Sequence, residues 1–127
     1  MLPDHLIQPL PLTPELVSGE WMLDENGGAA EELALRVQTK FTFTIGGTVR
    51  QDSQVTRRFL GAVKTTSYSH IGHWALSGDT VTAEFPTHRE IKPHHFVRIK
   101  CPDDRGIERE ALVNPRSRRP CWRVGAE

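Results

Sequence analysis

Leu33, Leu35, Val37, Thr39, Phe41, Phe43 and Ile45 alternate without a break with Ala34, Arg36, Gln38, Lys40, Thr42 and Thr44. A period of two places the first set on one face of an extended strand and excludes a helix, whose faces recur every 3.6 residues. A strand with one apolar face needs partners. Gly46-Gly47 tolerates the positive φ of a tight turn, and residues 48–53 return as the antiparallel neighbour.

A second hairpin is written almost as plainly. Tyr68, His70, Gly72, Trp74 and Leu76 share one strand face, Ser77-Gly78-Asp79 supplies the turn, and Val81, Ala83 and Phe85 lie on the return. Pro86 ends it. Further strands are expected at residues 95–101, 108–113 and 121–124, separated by the Pro102-Asp103-Asp104-Arg105-Gly106 turn and the Asn114-Pro115 break. No segment keeps a 3.6-residue apolar period for three turns, so helix is confined to short pieces at residues 13–18 or 29–33. Consecutive hairpins, about eight strands in all, predict an all-β antiparallel up-and-down meander that curls into a closed barrel, with a flattened sandwich as the fallback. Nothing supplies the crossover helices of a parallel sheet.

At 127 residues the chain fits one domain, and 37% hydrophobic with 25% charged residues excludes the disordered and membrane-spanning classes. No apolar run approaches the roughly 18 to 20 residues of a membrane span. Residues 1–14 hold Pro3, Pro9, Pro11 and Pro14 and read as an extended arm ahead of a single domain at residues 15–127. Leu2, Leu6, Ile7, Leu10 and Leu12 predict that the arm packs along the body. With no Lys or Arg it does not read as a secretory signal, and a cytoplasmic location is the expectation.

Net charge is zero, but it is unevenly spread. Asp4, Glu15, Glu20, Asp24, Glu25, Glu31 and Glu32 give residues 1–35 a balance of −7, so the rest carries +7. The preferred reading is that the two halves meet within one fold; the other is a basic surface for an anionic partner.

Three segments together carry a family resemblance. Leu16-Val17-Ser18-Gly19-Glu20-Trp21 is followed by Lys40-Phe41-Thr42-Phe43-Thr44-Ile45-Gly46-Gly47-Thr48-Val49, and then by Gly72-His73-Trp74-Ala75-Leu76-Ser77-Gly78-Asp79-Thr80-Val81-Thr82. Over residues 16–85 this resembles the small bacterial lipocalin-like (calycin-type) domains. The resemblance implies a small β-barrel whose interior holds an apolar molecule, with no fixed catalytic residues.

From the residues themselves, eight strands enclose a space that is either filled by side chains or holds one small ligand. The candidate ligand-binding set is Phe41, Phe43, Trp74 and Phe85 as walls, with Tyr68 and His70 as polar anchors. Arg116, Arg118, Arg119, Trp122 and Arg123 form a basic cluster around one indole. Arg and Trp are common interface anchors, so docking on an acidic protein partner through this cluster or the arm is the alternative function. Its competing structural reading has Trp122 in the core and the arginines paired with Glu15, Asp24 or Glu31. Single-stranded nucleic acid ranks lower, because no recognised motif accompanies the cluster. A third alternative is a cofactor-free cavity enzyme of cyclase or isomerase type using Tyr68 and His70.

No cofactor and no metal are expected. His70 and His73 point to opposite strand faces, His94 and His95 diverge, and only the turn at Pro93 brings His88 near either of the last two. Cys101 and Cys121 form no zinc pattern, and the arginines around Cys121 favour its thiolate without supplying a base. A homodimer is compatible with the sequence.

Overall fold

The computed structural model describes residues 2–26 and 34–124; the helix considered at 29–33, and Glu31 as a partner for arginines, lie outside them. A 3-10 turn at Asp4–Leu6 and one helix, α1 at Pro14–Val17, precede eight strands. These are β1 Gly19–Asn26, β2 Ala34–Phe43, β3 Thr48–Phe59, β4 Ala62–Ser77, β5 Thr80–Glu84, β6 His94–Pro102, β7 Glu108–Val113 and β8 Pro120–Arg123. α1 starts where Thr13 accepts the Leu16 N–H at 3.3 Å and Pro14 occupies a position that needs no donor. It ends where Ser18 turns extended.

Each strand pairs antiparallel with the next, and β1 also pairs with β8, so the strand order runs as a ring. Register sorts the side chains. Phe43 lies opposite Val49, Phe41 opposite Gln51 and Thr39 opposite Ser53; on the next seam Val49 meets Gly72 and Gln51 meets His70. Directly opposed residues share a face, which gives the row Tyr68, His70, Gly72, Trp74 and Leu76 the inner side. At Gly72 a β-carbon would stand 1.9 Å from the Glu84 carbonyl oxygen, so only glycine lets the end of β5 close on β4.

The inner cluster contains Val17, Trp21, Phe41, Phe43, Val49, Trp74, Val81, Ala83, Phe85, Phe96, Leu112 and Cys121. Its rings meet edge to face, Phe43 on Trp74 at 5.8 Å and Phe41 on Phe96 at 5.3 Å. A second cluster, Val97, Ile99, Cys101, Ala111 and Val113, faces outward and is roofed by Leu2, Leu6, Ile7 and Trp122. The N-terminal arm thus packs on the body. Its Leu10 N–H bonds the Arg98 carbonyl at 2.8 Å, along the part of β6 that β5 leaves unpaired. The acidic and basic halves also meet: Asp4 pairs with Arg118 at 2.8 Å, Glu20 with Lys40 at 2.9 Å and Asp24 with Arg36 at 2.6 Å.

The lipocalin-like β-barrel implied by the resemblance is corrected to an eight-stranded antiparallel sheet with ring-like strand order. The seam that completes the ring rests on two residue pairs, Trp21 with Arg123 and Met22 with Trp122. The walls are unequal, since β3 and β4 run 12 and 16 residues while β5 and β8 run 5 and 4. One end is packed solid by the inner cluster, so the ring is no hollow cup; the other end keeps a recess lined by residues of β1, β2, β3, β6 and β8.

Candidate binding recess at the open end

The solid end explains itself through charge and aromatics. Arg123, opposite Trp21 in register, lies with its guanidinium 4.2 Å from the Trp21 ring centre. It donates to the Ser18 carbonyl at 3.1 Å and to the Leu16 carbonyl. Its Nε stands 3.4 Å from Glu110 Oε1, an ion pair without hydrogen-bond geometry. Arg98 Nε donates to the other Glu110 oxygen at 2.6 Å. Trp21 Nε1 donates to the Val17 carbonyl at 2.9 Å, which ties α1 across the end of the ring.

At the opposite end the interior is not filled. A recess of about 320 Å³ is walled by Leu23 on β1, Thr39 and Phe41 on β2, Gln51 on β3, His94 and Phe96 on β6 and Cys121 on β8. Asn114, Ser117 and Arg119, from the β7–β8 connection, form its rim. Thr39 and Ser53 hydroxyls satisfy each other at 3.3 Å. Gln51 Oε1 and His94 Nε2, by contrast, are buried with no hydrogen-bond partner among the described residues. So is Nδ1 of His70, which lies opposite Gln51 on the same face and packs against the His88 ring at 4.3 Å.

His94 sits among Phe41, Phe96 and Phe85, with ring centres at 5.3, 5.9 and 6.1 Å. Burial, helped by the neighbouring His95, holds its pKa below the ordinary 6.5, so it is neutral at physiological pH. A neutral imidazole nitrogen donates or accepts according to tautomer, and the amide oxygen of Gln51 accepts. Two aromatic walls with a few inward polar atoms suit one small, mostly apolar guest.

The expected site residues divide between recess and core. Phe41 lines the recess, and His70 lies outside its lining, opposite Gln51 on β3. Phe43, Trp74 and Phe85 are buried in the inner cluster, where Trp74 Nε1 donates to the Thr44 carbonyl at 2.8 Å. Tyr68 remains 44% exposed, further out on the inner row of β4. Sequence reasoning missed Gln51, His94 and Phe96; the available signal was the β2–β3 register, which puts residue 51 beside Phe41.

In the basic cluster, Arg116 is exposed on a turn where its N–H bonds the Asn114 side chain at 2.9 Å. Arg118 pairs with Asp4 and Arg119 stands at the recess rim. Trp122 is half-buried against the outer cluster under Arg109, whose guanidinium is 5.3 Å from its ring. Arg123 is spent inside the solid end. Among the described residues Arg118 therefore pairs with Asp4 and Arg123 with Glu110, where Glu15 or Asp24 was expected; the expected Glu31 lies outside them.

His73 points outward beside Glu84 at 3.9 Å, and His88 meets His70 rather than His94 or His95. Among the described residues no three His, Cys, Asp or Glu side chains converge on one point that would hold a metal ion. Cys101 and Cys121 lie in different clusters and form no disulfide. Burial, with Glu108 and Asp103 nearby, raises the Cys101 thiol above its usual pKa.

No protein-family model, curated protein or solved structure matches the chain significantly, so no relative supports the lipocalin-like resemblance, which is set aside. Fold and site define an all-β, antiparallel eight-stranded domain with buried aromatic clusters. No helix among the described residues is long and apolar enough to cross a membrane.

Proposed function

We propose that the chain binds one small, largely apolar molecule in the recess between Phe41, Phe96 and His94, oriented by Gln51 and His94. The observation that carries this reading is the pair of unpartnered buried polar atoms, Gln51 Oε1 and His94 Nε2, at an aromatic-walled recess. Buried polar atoms without partners each cost about 1 to 3 kcal/mol, a cost that a guest's hydrogen bonds offset. A volume of about 320 Å³ sits at the small end of ligand sites. A cavity of roughly 150 Å³ takes benzene, so two fused rings are the right scale.

Indole, a two-ring aromatic with one N–H donor, is a suitable probe. Titrated into isotopically labelled protein, it is expected to shift the amide resonances of Thr39, Gln51, His94 and Phe96. Gln51→Leu, which removes the acceptor, is expected to weaken the response about tenfold, the worth of one hydrogen bond. Absence of shifts up to millimolar indole, or shifts spread over the outer faces, would overturn the reading.

A further inference from the structure

β4 is longer than anything that covers it. β3 pairs with it from His73 to Ala62, whereas β5 pairs only with His73–Ser77, which leaves one edge of residues 62–72 without a strand neighbour among the described residues. Trp74 N–H points to the β3 side, donating to the Gly47 carbonyl. Alternation then directs the N–H and C=O groups of Val63, Thr65, Ser67, Ser69 and Ile71 to the open edge. Val63 and Ile71 are also 57% and 60% exposed, and they share the outer face.

This edge is complementary to itself. An antiparallel register centred on Ser67 sets Val63 opposite Ile71 of a second copy, Thr65 opposite Ser69 and Ser67 opposite Ser67. By symmetry the remaining two rungs repeat the first two. Every rung joins residues whose backbone groups already point outward, and each exposed aliphatic side chain meets another. Shifting one strand by two residues separates the aliphatic pair, setting Val63 opposite His73 and Ile71 opposite Thr65 in one direction, and Val63 opposite Ser69 and Ile71 opposite Gly61 in the other. Charge agrees with the same register. Residues 62–72 carry no acid and one lysine, so no like charges oppose each other on the outer face. Arg58, opposite Val63 on β3, has no ion-pair partner among the described residues, and the register brings it beside the exposed Glu84 of the second copy.

We propose that two copies of the chain associate through antiparallel pairing of their β4 edges about Ser67, extending each sheet into its partner. Long unpaired edges are otherwise blunted by charge, proline or a covering element, and this one carries none of the three on its outer face.

Light scattering coupled to size exclusion, over about 1 to 100 µM full-length protein, tests this. The expected result is a concentration-dependent approach to twice the 14.3 kDa chain mass. Val63→Lys, which enters both symmetric rungs, is expected to raise the dimer dissociation constant at least about tenfold. Ser67→Pro removes an N–H that faces the open edge and is expected to act alike, with circular dichroism showing the fold retained. The double variant V63K/I71E sets opposite charges across both rungs and is expected to regain the dimer. A wild-type monomer throughout, or a dimer that V63K and S67P leave unchanged, would overturn the proposal. Failure of the double variant to recover would overturn the register.

Discussion

The two ends of the ring are built from the same strands and differ in what their polar groups do. At the solid end, Glu110 bonds Arg98 and pairs with Arg123, Arg123 donates to backbone carbonyls of the α1 region, and Trp21 lies over the guanidinium. At the open end, Gln51 and His94 bury polar atoms that have no hydrogen-bond partner among the described residues. Buried charge is tolerable where it is matched, and buried polarity without a match marks a place where stability has been given up. The matched polar groups of the solid end hold the ring together, and the guest binding proposed above belongs to the unmatched open end.

Substitutions at the two ends sharpen the contrast. Trp21→Ala, which empties a fully buried site and removes the ring beneath Arg123, is expected to cost about 4 kcal/mol in urea unfolding. Glu110→Ala leaves two mostly buried arginines without their carboxylate and is expected to cost about 3 kcal/mol. At the open end the sign changes. His94→Phe joined with Gln51→Leu is expected to leave stability within about 1 kcal/mol of wild type, or to raise it, while abolishing the response to indole. A loss of 2 kcal/mol or more there would make the two ends alike and break the comparison.

The smallest effect is pH dependence. Burial lowers the His94 pKa in the folded chain, so below 6.5 the unfolded state binds the extra proton first. The stability contribution is therefore complete above pH 6.5 and falls as pH drops from there toward the folded-state pKa. His94→Phe is expected to remove that part of the decline, measured as the unfolding midpoint between pH 7 and 5.

Much of the sheet was legible because half-buried strands alternate. The inner row of β4 from His70 to Leu76 followed from period two, and Thr13 to Ser18 contained the signals for α1. What escaped has physical causes. Apart from the half-buried Val55, residues 54–58 and 60–67 are polar or exposed, so no alternation announces that β3 and β4 continue through them. β6 is hard to read for the opposite reason. Phe96 faces the inner cluster while Val97, Ile99 and Cys101 lie under the arm, so both faces are apolar. That hid the inward His94 and Phe96. Arg123 was grouped with neighbours in sequence, although the β1–β8 seam places it on Trp21, a long-range contact that local pattern does not encode. The lipocalin-like resemblance rested on short Gly-x-Trp and hairpin motifs, which specify turns and strand faces but not the closure or filling of a ring.

The most direct test of the binding account is native mass spectrometry of the chain purified gently from its own host cells, beside a Gln51→Leu/His94→Phe preparation. The expected result is an excess of roughly 100 to 200 daltons per chain, the mass of a two-ring guest, on the wild type that vanishes on denaturation and is missing from the variant. A bare polypeptide mass in both, or the same excess on both, would contradict it.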